Sequence, residues 1–180
     1  KDKLELVSCT LNPNVEIFTV SSSDIVNATA SSVEYEADAE RAINKKKNIT
    51  TDAPVFIRNG IKLSQYSDAD LKPQFGNLKF IDNNGDGISE VVIITDISSN
   101  IVVNSVADDG SAISCKDIST NGLDLSDETK TYARAYKDGK IIEITDISAD
   151  KIVSVAKAEK KKDGIQIYLL YVSSDSKEVQ

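Results

Sequence analysis

The sequence predicts a mainly β protein: antiparallel hairpins forming one or two small barrels or sandwiches, with at most short helical turns. Three observations carry that expectation. Short runs rich in Val, Ile, Thr and Tyr recur along the 180 residues. Between them stand Asn59-Gly60, Asn84-Gly85, Asp109-Gly110, Asn121-Gly122, Asp138-Gly139 and Asp163-Gly164, each pairing a residue tolerant of positive φ with glycine. Amphipathic helical periodicity is thin throughout.

Taken in order, residues 3–11 and 15–20 read as the first two strands. Residues 36–47 stay open between two states: Ala39 and Ile43 lie four apart as in a helix, whereas Val33, Tyr35, Ala37 and Ala39 alternate as in a strand. Residues 55–58 form a strand that stops at Asn59-Gly60. Residues 67–71 predict one capped helical turn, because Ser67 precedes acidic residues that favour a helix start. Strands follow at 78–81, 91–96 and 101–106, then a second capped turn at 126–130. The last four strands are 132–136, 140–145, 151–158 and 165–172.

Val91 to Ser98 reads VVIITDIS and Ile141 to Ser148 reads IIEITDIS, a similarity that allows duplication of a strand, turn and strand unit. A polar stretch over 121–130 places a domain boundary, giving a β-rich module over 1–125 and a small SH3-like or OB-like barrel segment over 126–180. With 40% hydrophobic and 28% charged residues the chain is expected to fold rather than stay disordered. Its apolar runs are far shorter than the ~20 residues of a membrane-spanning helix. The missing Met at Lys1 and the abrupt stop at Gln180 predict a piece of a longer protein.

A net charge of −8 argues against nucleic acid as a partner. No His, Met or Trp is present, which removes imidazole acid/base chemistry and histidine or thioether metal sites. Paired carboxylates are plentiful, but aromatic residues make up only 6%, too few for the usual sugar cleft of a glycan hydrolase. Tyr132, Tyr136, Tyr168 and Tyr171 are expected to pack in a core, and the triplets 45–47 and 160–162 to be solvated loop lysines. Cys9 and Cys115 are either one disulfide across a long loop or two buried thiols.

The most informative segment is Asp82-Asn83-Asn84-Gly85-Asp86-Gly87-Ile88-Ser89-Glu90, with the pattern D-x-N-x-D-G-x-x-E. Side-chain oxygens at 82, 84 and 86 alternate so that they converge on one hard cation. Gly87 permits the turn, the Ile88 carbonyl offers another oxygen, and Glu90 stands ninth. Position twelve of such a loop calls for a bidentate carboxylate, and Ile93 stands there. The predicted ligands Asp82, Asn84, Asp86, Ile88 and Glu90 therefore describe a weak, structural Ca2+ site in a β-hairpin. The same residues also make a polar turn without any metal.

The stretch from Val55 to Gly60, through Ser67 to Pro73 and on to Ile94, resembles modules of large S-layer-associated surface proteins of clostridia and related Gram-positive bacteria. Tyr136 to Lys140 followed by Asp150 to Val155 is similar to a later segment of those modules. Related β modules occur in phage tail proteins. The resemblance covers about residues 55 to 175. It implies a non-enzymatic structural or adhesive spacer of an extracellular, cell-surface protein, rigidified by calcium, with Asp82, Asn84, Asp86 and Glu90 matching the acidic loop. Its expected partners are other domains of the same longer chain, copies of itself or cell-wall polysaccharide, with no nucleic acid and no membrane span. A structural module of a phage tail, located on the virion, is the alternative; a carbohydrate-binding or carboxylate-based hydrolase module is the further one. Residues 1–54 carry no assignable pattern.

Overall fold

The computed structural model describes residues 14–117, 122–160 and 164–174. The predicted strand at 3–11, Cys9, Asn121, Asp163 and two of the lysines at 160–162 lie outside them.

The described chain is mainly β. Its strands are β1 (Glu16–Ser21), β2 (Ile25–Thr29), β3 (Ser32–Asp38), β4 (Ile43–Ile49), β5 (Val55–Arg58), β6 (Ile61–Lys62), β7 (Gly76–Asp82), β8 (Ile88–Ser89), β9 (Val91–Val106), β10 (Ala112–Cys115), β11 (Leu123–Asp124), β12 (Thr131–Lys137), β13 (Lys140–Ile142), β14 (Ile152–Lys160) and β15 (Ile165–Val172). The larger sheet runs β1-β7-β9-β14-β15-β12-β13, with β5–β6 and β10–β11 also joined to β9; the smaller runs β2-β3-β4-β8. Helical structure among the described residues is confined to 3-10 turns at Ser22–Asp24, Ala39–Arg41, Asp68–Leu71 and Ile144–Asp146.

The open segment 36–47 resolves as a hairpin: β3 ends at Asp38, Ala39–Arg41 is a 3-10 turn, and β4 returns antiparallel from Ile43, with Val33 and Tyr35 buried on one face of β3. The lysines at 45–47 therefore lie in β4 rather than in a loop, with Lys46 opposite Glu34 and the Lys47 ammonium 4.8 Å from the Phe18 ring centroid. The turn at 67–71 is present: Ser67 and Asp70 form a reciprocal capping box. Residues 126–130 make a hydrogen-bonded turn rather than a helix. There Asp127, not Ser126, accepts from the Thr129 N–H and hydroxyl at 3.1 and 2.6 Å.

Three strand pairs depart from the expected antiparallel hairpins. β5 with β9, β12 with β15 and β4 with β8 are parallel. The predicted strand at 140–145 ends at Ile142, and Ile144–Asp146 is a 3-10 turn, whereas Val91 to Ser98 lies wholly within β9. The two similar segments thus have different conformations and form no structural repeat.

β9 organises both halves of the molecule. Its first residues, Val91 to Ile94, lie between β5 and β7, while Ile97 to Val102 pairs with β14. A bulge near Ser98 inserts one residue into the ladder with β14, and the Ser98 hydroxyl donates to the Val155 carbonyl at 2.9 Å. The extra residue changes the parity of burial: Val92 and Ile94 are buried before it, Ile101 and Val103 after it. One core gathers Val20, Val33, Phe56, Leu78, Phe80 and Ile94 between the first part of the large sheet and the small sheet. The other gathers Ile101, Val103, Ile113, Val153, Val155 and Leu170. Packing thus changes partner inside β9, whereas the polar stretch in the sequence lies at 121–130.

Candidate cation-binding loop

The loop at 82–90 joins two strands that are already paired. Ile81 lies opposite Val91, and the Glu90 N–H donates to the Ile81 carbonyl at 3.1 Å, so both ends of the loop are fixed by the β7–β9 ladder. Gly85 is needed for two reasons. Its φ is +76°, and a Cβ there would lie 3.0 Å from the Asn14 carbonyl oxygen.

Within this frame Asp82 is the organising residue. It is 5% exposed. One carboxylate oxygen accepts from the N–H groups of Asn84 (3.1 Å) and Gly85 (2.7 Å), the other from Gly87 (2.7 Å). Desolvation works against its charge, but the N–H groups of Gly85, Gly87, Asn84 and Asp86 outweigh it and hold the pKa below the ordinary carboxylate value. Asp86 accepts from the Ile88 N–H at 2.8 Å and from the Asn84 amide at 3.0 Å. Glu90 reaches back to accept from the Asn83 N–H at 2.7 Å.

These bonds bring Asp82, Asp86 and Glu90 together, each with a carboxylate oxygen within 4.8 Å of the others. A Ca2+ ion with oxygens at about 2.3–2.6 Å keeps its ligand atoms within about 5 Å of one another, so the three oxygens fit a single hard cation. The Asp82 oxygen that accepts from Asn84 and Gly85 has both lone pairs engaged, but its other oxygen and the accepting oxygens of Asp86 and Glu90 each take one donor, which leaves a lone pair for a metal. An all-oxygen set disfavours zinc and copper. Of the other predicted ligands, Asn84 turns its amide onto Asp86, its side-chain oxygen accepting from the Asp86 N–H at 2.9 Å, and Ile88 starts β8 with an exposed side chain.

The pattern of acidic residues does not disclose where this loop sits. Ser89, the residue before Glu90, is buried in β8, and its carbonyl accepts from the Thr50 N–H at 3.0 Å. Through β8 the loop belongs to the small sheet, and through Asp82 and Val91 to the large one. The acidic cluster therefore lies at the joint between the two sheets. Cys115 is a half-buried thiol in β10, its pKa pushed up by burial and by Asp117; Cys9, with which it forms a disulfide in one of the two sequence-based alternatives, lies outside the described residues.

No family model, curated protein or solved structure matches this chain. Among the described residues no helix is long and apolar enough to cross a membrane.

Proposed function

We propose that this chain is a non-enzymatic structural spacer module of a large extracellular or cell-surface protein, its two sheets locked together by Ca2+ at residues 82–90. The observation that carries the reading is the position of the Asp82, Asp86 and Glu90 cluster at the joint between the sheets. A divalent cation there offsets three carboxylates and ties β7, β8 and β9 to one point. Without a bidentate carboxylate at position twelve, the site belongs to the weak class, with Kd about 10⁻⁴ to 10⁻³ M, which suits the calcium concentrations met outside cells. The absence of His from the sequence and the use of the loop carboxylates as backbone acceptors favour a structural over a catalytic role.

Calorimetric titration of the EDTA-stripped protein with calcium tests this, beside Asp86→Ala and with magnesium as control. The expected result is one calcium site, abolished by the substitution, with magnesium binding more weakly because it demands near-octahedral geometry. At ten times Kd the ion adds about 1.4 kcal/mol, read as a higher unfolding midpoint. Neither heat nor midpoint shift at several millimolar calcium refutes the metal and leaves residues 82–90 as a polar turn.

A further inference from the structure

On the face of the large sheet opposite the first core lies a groove of about 720 Å³, a volume within the usual range of ligand clefts. Alternation along the strands builds it. Val20, Leu78 and Ile94 point into the core, so Thr19, Asn77, Lys79 and Ile93 face the other way. The opposite wall comes from β12 and β15, where Tyr132, Arg134, Tyr136 and Tyr171 alternate with buried Ala135 and Leu170. Three of the tyrosines expected in a core therefore line this groove. The fourth, Tyr168, packs against the second core with the Lys157 ammonium 5.3 Å from its ring centroid.

The lining has a definite chemistry. Tyr136 and Tyr171 stack with ring centroids 5.4 Å apart, and the Arg134 guanidinium lies 5.4 Å from the centroid of Tyr132, which is 43% exposed. Burial raises the Tyr171 pKa despite a hydrogen bond with Thr95, so its phenol stays neutral. Lys79 and Arg134 are both exposed, and among the described residues neither is ion-paired. Two unpaired cations against the single carboxylate of Asp138 make a locally positive groove in a chain of net charge −8. The walls are sheet faces, which present side chains rather than free backbone groups, so the groove does not suit an added β-strand. Aromatic and apolar surface for C–H faces, an amide and hydroxyls for hydrogen bonds, and two cations together fit a sugar chain carrying acidic groups.

We propose that the groove between β7 and β12–β15 binds an acidic polysaccharide, with Tyr132 and Tyr136 contacting sugar rings and Lys79 and Arg134 holding the anionic groups. None of the residues 82–90 lines it, so the proposal stands apart from the calcium loop. Affinity electrophoresis in native gels containing carboxymethylcellulose, polygalacturonate or hyaluronan tests it, with hydroxyethylcellulose as the neutral counterpart. The wild type is expected to be retarded in at least one acidic gel and not in the neutral one. Tyr132→Ala and Lys79→Ala should each weaken that binding about fivefold, and 0.5 M salt should suppress it. Lys46→Ala, on the distant β4, should leave it unchanged. Circular dichroism of each variant checks that these exposed substitutions leave the fold intact. No retardation in any acidic gel, equal retardation in the neutral gel, or retardation lost with Lys46→Ala but kept with Tyr132→Ala would each overturn the proposal.

Discussion

The side chain of Asn59 bonds to the backbone of Asp96 in both directions: its oxygen accepts from the Asp96 N–H at 2.8 Å, and its amide donates to the Asp96 carbonyl at 2.9 Å. The same amide also donates to the Lys157 carbonyl at 2.9 Å, so one 3% exposed side chain links β5, β9 and β14. The link sits where β9 passes from one core to the other. Beside it Arg58 pairs with both Asp70 and Asp96, tying in the capped turn.

Asn59→Gly isolates the contribution of this link. Glycine keeps the left-handed turn (φ +46° at Asn59) but removes all three side-chain hydrogen bonds. Three backbone groups lose this partner, and the expected loss is about 3 kcal/mol, measured by urea unfolding. A loss below about 0.5 kcal/mol would show that water replaces the amide at no cost.

Gly76 and Gly139 should differ sharply when replaced by alanine. At Gly76 (φ +122°) a Cβ would lie 2.1 Å from the Thr95 carbonyl oxygen, inside the β7–β9 ladder, whereas at Gly139 (φ +75°) it meets nothing within 4 Å. Gly139→Ala costs only the backbone penalty of about 1–2 kcal/mol. Gly76→Ala must also displace a strand, and its thermal midpoint should fall well below that of Gly139→Ala.

Acid should destabilise the protein in part through Asp82. Because the folded pKa of Asp82 is depressed, its contribution is fully present above the unfolded value near 3.8 and is lost as pH falls through the folded value. Backbone and hydroxyl bonds from Ser67 and the Arg58 charge, opposed by desolvation, depress Asp70, and hydroxyl and backbone bonds from Thr129 depress Asp127, so the three act with the same sign. Carboxyl NMR titration should find the Asp82 midpoint below 3.8. A midpoint above it would mean that desolvation prevails over the four N–H donors.

Because β9 runs unbroken through both cores, heating should give one calorimetric transition. Ile94→Ala and Val103→Ala, one in each core, should each cost about 2–4 kcal/mol and lower that same transition. Two separated transitions, each answering to one substitution, would show that the bulge at Ser98 uncouples the halves.

Local chemistry made much of the molecule legible in the sequence. Asn59-Gly60 and Asp138-Gly139 are tight turns with positive φ at both residues, joining β5 to β6 and β12 to β13. Residues 55–58 and 165–172 are strands with the expected ends, and Ser67 with Asp70 caps a turn, because these signals act within a few residues. The spacing of Asp82, Asp86 and Glu90 likewise specified an acidic cluster, since a hairpin loop with both ends in one ladder leaves those side chains little choice.

Which strands become neighbours was decided only in three dimensions. Period-two alternation tells each strand which face to bury but not which partner to take, so the parallel pairing of β12 with β15 and of β5 with β9 left no mark in either segment. The same holds for β8, which places the acidic loop at the joint of two sheets through the bond from Thr50 to Ser89. It also holds for Tyr132, Tyr136 and Tyr171, whose alternation fits a core as well as a groove wall until the fold brings them to one groove with Lys79 and Arg134. Most strands, the turns and the acidic loop were readable from their own residues, because their causes are local. The tertiary structure alone decided their long-range pairing, and with it where the loop and the groove lie.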